Sequence, residues 1–237
     1  MRLRLLVYNV KSFRLGVHNT ASLVAEHGPD VALIQECGPR RRLRRFASAL
    51  DMEAAAHHHL FRRSIHNAVL VRPPWRVVSQ RLHPFPRDQR FYPRGIMLAR
   101  LGRAGFRLWA GSVHLGLEGE ARRRNADELV SLVMGIDGPL VVGGDLNEGP
   151  NGPAVRWIAD RLWDGFAVAG EGPGETFPAD GPTARIDYVF VNEGVKVDRA
   201  WVLGGPAAAA GSDHLPVFTD LVLTNGDDGR PGADPVG

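Results

Sequence analysis

The stretch GSDHLPVF, residues 211–218, sets an acid and an imidazole, Asp213 and His214, directly before an apolar run that continues to Leu223. The same arrangement recurs upstream. VALIQECG (31–38) brings an apolar run to Glu36, and LVVGGDLNEGP (140–150) brings another to Asp145 and Asn147. VYNV (7–10) and SVHLG (112–116) carry Asn9 and His114 at the ends of further runs. Burying an acid without a counter-charge is costly. Unrelated surface carboxylates would not keep following apolar strands, so the pattern implies strands whose ends meet at one place.

Working outward, strand-length apolar runs fill the chain. They are Leu3 to Val10, Val31 to Gln35, Ala68 to Val71, Gly95 to Leu101, Leu108 to Val113, Leu140 to Gly143, Ile186 to Val191, Lys196 to Leu203 and Leu215 to Leu223. Several are continuous Val, Leu and Ile, as in strands covered on both faces. Between them lie four helical stretches. Asn19 or Thr20 caps a helix to His27 that turns Leu23 and Val24 inward, and Pro39 opens an Arg-rich helix toward Leu50. Glu118 to Met134 places Leu129, Leu132 and Val133 on one face, and Pro153 to Leu162 is the fourth. Strands interleaved with helices and short connections predict an α/β fold of two packed sheets with helices outside. One domain is expected over residues 1–224. The segment 225–237, NGDDGRPGADPVG, lacks periodic apolar residues and is expected to be a disordered tail.

Composition is ordinary for a globular protein: 237 residues, 44% hydrophobic and 23% charged. The net charge of +3 rests on arginine, since Lys11 and Lys196 are the only lysines. That balance permits an anionic substrate without naming one. The single cysteine, Cys37, excludes an internal disulfide and fits a reducing compartment. No apolar run approaches the roughly 18 residues of a membrane span, and MRLRLLVYNV reads as a strand rather than a signal peptide. A cytoplasmic monomer is expected.

The chemistry follows from the residue types. Hard cations such as Mg²⁺ are held by one or two carboxylates together with water and phosphate oxygens, which makes Glu36 a ligand candidate. In GGDLNEGP, Gly143 and Gly144 are expected to let the backbone turn, leaving Asp145 and Asn147 two apart and pointing the same way. A turn in which these side chains bond their own backbone competes with that reading. RIDYVFV (185–191) puts Asp187 inside an apolar strand, where it needs a partner. His214 is the obvious one, because a carboxylate on one ring nitrogen fixes the tautomer and supports the imidazolium. Asp213 then faces the metal. Acids, an amide and imidazoles gathered in this way suit metal-assisted hydrolysis of a phosphoester.

Taken in order, VYNV, QE, SVHLG, GDLN, RIDYVFV and SDHLPV resemble the endonuclease/exonuclease/phosphatase superfamily, over nearly the whole chain from Asn9 to about Leu221. The resemblance implies a four-layer α/β/β/α sandwich of two mixed β-sheets with flanking helices, and a site at one end of it. It implies Glu36 as principal ligand of Mg²⁺, with Mn²⁺ able to substitute, and Asn9 and Asp213 completing the metal site. Asp145 would orient or deprotonate the attacking water or bind a second metal. Asn147 and His114 would hold phosphoryl oxygens, and His214, oriented by Asp187, would contact the phosphate and transfer protons. Relatives specific for abasic sites carry other residues where this chain has Lys11 and Cys37-Gly38, which argues against that activity. Where the deoxyribonuclease branch pairs a Glu with the His114-type residue, this chain reads FYPRGIML, and Arg94 is expected to point at the phosphate.

Two arginine clusters flank these strings, Arg40, Arg41, Arg42, Arg44 and Arg45 after Glu36, and Arg122, Arg123 and Arg124 after His114. They could follow a nucleic acid backbone or form solvated helix faces. His57, His58 and His59 on a strand would point to alternate faces and so would not share one zinc ion. The five tryptophans are scattered, as packing residues are. The expected activity is a Mg²⁺-dependent phosphodiesterase acting on DNA or RNA. The alternatives are a phosphoesterase for a small or lipid-linked phosphate and a binding protein on the same fold.

Overall fold

The computed structural model describes residues 1–56, 65–86 and 93–224. Two mixed sheets pack face to face. The first has seven strands in the order β10 (Gly170–Glu171), β12 (Val195–Val202), β13 (Val217–Leu223), β1 (Arg2–Asn9), β2 (Val31–Gln35), β4 (Ala68–Val71) and β3 (Glu53–Ala56). The second has six, in the order β5 (Arg76–Pro84), β6 (Gly95–Arg103), β7 (Phe106–His114), β8 (Leu140–Asp145), β11 (Asp187–Val191) and β9 (Trp163–Asp164). Helices α1 (Val17–His27) and α2 (Arg40–Ala49) cover the first sheet, while α3 (Gly119–Val133) and α4 (Pro153–Ala159) cover the second. Two short helices, α5 (Gly165–Ala169) and α6 (Pro206–Ala209), complete the set. This is the four-layer sandwich expected from the strings.

Strand alternation explains the layers. Leu3, Leu5 and Val7 of β1 join Val31 and Leu33 of β2 and Met97, Leu108 and Val141 of the other sheet in the central core. The alternate residues Leu6, Tyr8 and Ile34 face outward against Leu43 and Phe46 of α2. On the far side, Val142 and Phe190 meet Leu129 and Val133 of α3 and Val155 and Ile158 of α4. Because both faces are covered, the central strands read as unbroken apolar runs.

Several expectations need correction. α1 begins at Val17 behind Gly16, so Asn19 and Thr20 lie inside the helix rather than capping it. Gly143 and Gly144 make no turn: both lie inside β8, which stays extended to Asp145. They are glycines because neighbours approach too closely for a side chain. A Cβ on Gly144 would lie 1.8 Å from the Val113 carbonyl oxygen, and one on Gly143 would lie 2.5 Å from Val7 Cγ2. Asp187 opens β11 rather than standing inside a strand. Finally, β3 and β5 carried no apolar signal. β3 is EAAA, and β5 is a mostly exposed edge strand with Arg, Ser and Gln on it. His57, His58 and His59 and the segment 225–237 lie outside the described residues. Among the described residues, no helix is long and apolar enough to cross a membrane.

Candidate active site

Register gathers the singled-out residues at one end of the sandwich. Asn9 closes β1 opposite Gln35 of the parallel strand β2, so Glu36 emerges beside it. In the second sheet, His114, Asp145 and Asp187 stand side by side on three adjacent strands. A buried polar layer locks the two sheets beneath them. Ser112 Oγ donates to the Ile34 carbonyl across the sandwich at 2.8 Å, and Gln35 Nε2 donates to Ser112 Oγ at 2.9 Å.

Asp145 is the hub. Its Oδ2 accepts from Asn9 Nδ2 at 3.0 Å and lies 3.2 Å from His114 Nε2 and 3.7 Å from His214 Nε2. Its Oδ1 accepts the backbone N–H of Asn147 at 2.9 Å. That last bond is the side chain-to-backbone turn weighed above, and Asn147 has a left-handed φ of 53° rather than an extended backbone. The turn redirects the Asn147 amide instead of leaving it parallel to Asp145. Asn147 Nδ2 donates to the Leu115 carbonyl at 3.0 Å and stands 3.1 Å from His114 Nε2. Burial opposes ionisation of Asp145, but the two imidazoles and the Asn147 N–H outweigh it and hold the carboxyl well below the usual range.

His214 and Asp187 form the expected pair, with Nδ1 2.9 Å from Asp187 Oδ2. Burial alone would lower the imidazole, but Asp187, then Asp145 and Asp213, raise it to about 9. The backbone N–H of Asp187 is bonded to Thr176 Oγ1 at 3.3 Å, and the Phe177 ring packs on His214 with centroids 4.9 Å apart. Thr176 and Phe177 lie in a Gly- and Pro-rich loop with no apolar run leading to them, and only the structure brings them in.

The Asn9, Glu36 and Asp213 group is more open. Asn9 Nδ2 lies 3.5 Å from Glu36 Oε1, while Asp213 Oδ2 is held by Lys11 Nζ at 2.6 Å. Lys11 reaches it through a tight turn: Lys11, Ser12 and Phe13 all have positive φ. The Lys11 N–H donates to Asn9 Oδ1 at 3.0 Å, and Ser212 Oγ donates to the Asn9 carbonyl at 2.7 Å. Arg94 does not stand free for a phosphate. Its Nη1 lies 2.8 Å from His114 Nδ1. Since a guanidinium only donates, that ring nitrogen presents its lone pair, and the hydrogen sits on Nε2, toward Asp145. Cys37 is buried, and burial pushes its thiol up to about 12, so it is no nucleophile.

Two donor sets could receive a cation. Asp145, Asp187 and His214 offer ligand atoms within 4.8 Å of one another. In that set the ring nitrogen nearest Asp187 is already engaged and the imidazole favours its proton, whereas a metal needs it neutral. The second set is the carboxylates of Glu36, Asp145 and Asp213 around Asn9, whose Nδ2 faces Glu36 and Asp145 while its Oδ1 accepts the Lys11 N–H; carboxylate oxygens fit a hard divalent cation.

A family model described as the Endonuclease/Exonuclease/phosphatase family matches residues 6–214. No curated protein matches the sequence. Among solved structures, an endonuclease/exonuclease/phosphatase from Bacteroides vulgatus aligns with TM-score 0.81 at 19% identity, over 94% of this chain and all of its own. The mannosyl-6-phosphatase of Bacteroides thetaiotaomicron aligns with TM-score 0.76 at 21% identity, over 93% of this chain and 100% of its own. TDP2 of D. rerio, complexed with a single-strand DNA product, aligns with TM-score 0.76 at 17% identity, over 94% and 99% of the two chains.

Proposed function

The chain belongs to the endonuclease/exonuclease/phosphatase family, and on that premise we propose that it is a divalent-cation-dependent phosphodiesterase that hydrolyses nucleic acid. The observation that carries this reading is the convergence of Asn9, Glu36, His114, Asp145, Asn147 and the Asp187–His214 pair from both sheets on one end of the fold. Glu36, Asn9 and Asp213 would hold the cation, Mg²⁺ with Mn²⁺ as a substitute. When bound, it supplies Lewis acidity toward the phosphoryl group.

The remaining steps belong to the side chains. Asp145, kept ionised by its neighbours, is a strong hydrogen-bond acceptor that orients the attacking water, whose proton passes to bulk solvent as the new P–O bond forms. The amide of Asn147, and the Nε2–H of His114 shared with Asp145, donate to the phosphoryl oxygens, where charge grows as the water oxygen adds and the ester P–O bond breaks. His214 is an imidazolium at neutral pH. Asp187 holds its ring so that Nε2–H faces the site and supplies a proton to the departing oxygen.

A second reading, hydrolysis of a small phosphate ester, is favoured by the likeness to the mannosyl-6-phosphatase. One experiment separates them. Purified protein is offered supercoiled plasmid, single-stranded DNA, RNA, bis-p-nitrophenyl phosphate, inositol phosphates, mannose 6-phosphate and sphingomyelin, with Mg²⁺, Mn²⁺ or EDTA. Metal-dependent cleavage of a nucleic acid, lost in His214→Ala, supports the nuclease. Turnover of only small or lipid esters moves the protein to the second reading.

A further inference from the structure

Helix α2 begins four residues after Glu36 and carries five arginines and no acid in its ten residues. It breaks local rules that helices ordinarily keep. Arg40, Arg41 and Arg42 crowd the first turn, where the helix dipole favours anions, and Pro39 provides no side-chain cap. Arg40 with Arg44, and Arg41 with Arg45, are like charges at a repelling spacing. A sequence that accepts such conflicts in one element points to a use for them.

The packing aims the charge. Leu43, Phe46 and Ala47 are buried, which leaves Arg40, Arg41, Arg44 and Arg45 together on the opposite, exposed face. Elsewhere arginines are commonly tied to acids, as in Arg2–Asp198, Arg4–Asp220, Arg122–Glu148, Arg185–Asp164 and Arg199–Glu171. Among the described residues, these four α2 arginines have no carboxylate partner. The helix is also tethered to the candidate site. Arg42 Nη1 donates to the Ser12 carbonyl at 2.6 Å, and the Ser12 N–H donates to the Glu36 carbonyl at 2.7 Å. Positive charge thus continues through exposed Arg14 to Lys11, whose ammonium lies on Asp213.

We propose that the exposed face of α2, continued by Arg14, is a docking lane for the phosphodiester backbone of a nucleic acid whose reacting phosphate lies at the site. The inference rests on the nuclease reading above. The five helical steps from Arg40 to Arg45 give the lane a length of roughly 7.5 Å, and the guanidinium forks suit phosphate oxygens. No base is read there, so binding is independent of sequence and steeply salt-dependent.

The test measures fluorescence anisotropy of labelled single-stranded DNA, duplex DNA and RNA with the full chain in EDTA, so that binding is read without cleavage. A variant with Arg40, Arg41, Arg44 and Arg45 all changed to Ala is expected to bind at least ~10-fold more weakly at low salt. Its slope of log affinity against log salt should be shallower by about three, from four lost contacts. Changing the same four to Lys should restore most of the affinity, which a merely structural role would not. Unchanged affinity and slope in a folded Ala variant would overturn the lane. So would loss of binding to phosphatidylserine vesicles with oligonucleotide binding intact, which would assign the helix to a membrane surface. Adding Mg²⁺ reads the other question separately: a lane that binds DNA the protein never cuts refutes the nuclease reading alone.

Discussion

At the scale of single residues, the Asp187–His214 pair makes two checkable statements. His214→Ala is expected to lower kcat by about 10²–10⁴-fold, and Asp187→Asn by less, because the second change disturbs the ring's orientation and keeps the ring. Steady-state kinetics on the best substrate decides it. The folded imidazole titrates near 9, above the free value of 6.5, so its stabilising effect is complete below 6.5 and is lost as pH rises through 9. Urea unfolding of metal-free protein across that window should show this loss, and His214→Ala should flatten it. Lys11 gives a third test. If Asp213 is a cation ligand, Lys11→Met frees its carboxylate, and calorimetry should show tighter Mg²⁺ binding. An unchanged Kd would remove Asp213 from the ligand set. Much of the site was legible in the sequence, because acids at the ends of apolar runs mark themselves. The Asp187–His214 pairing was legible too, but two other partners were not. That Lys11 lies on Asp213, and Arg94 on His114, depends on a left-handed turn and on cross-strand register, which spacing does not reveal.

At the scale of elements, β8 and α2 show opposite kinds of constraint. β8 passes so close to β7 that Gly144→Ala must displace the backbone, and a loss of more than about 2 kcal/mol of stability is expected in denaturant titration. α2 tolerates change. Arg41→Glu puts an acid in the first turn and removes a like-charge pair, so a gain of about 0.3–1 kcal/mol is expected, together with weaker polyanion binding. Central strands such as β2 and β4 matched the sequence reading residue for residue, because burial on both faces leaves an unbroken apolar run. The edge strand β5 did not, since its exposed residues are free to be polar and its pairing with β6 is a backbone matter.

At the scale of the whole molecule, both sheets supply the central core, so neither can keep its inner face buried alone. Leu33, fully buried there, should cost about 2–5 kcal/mol when changed to Ala, and calorimetry should still show one transition. A separate early transition for either sheet would contradict that. The order of strands has a consequence in time. β13 lies between β1 and β12, so a segment some two hundred residues downstream of β1 is inserted beside it. Asp213 and His214 arrive just ahead of it. A nascent chain halted before residue 211 therefore has two raw strand edges and an incomplete constellation. Premature termination there would yield a sticky fragment, and the constellation closes only once β13 is in place.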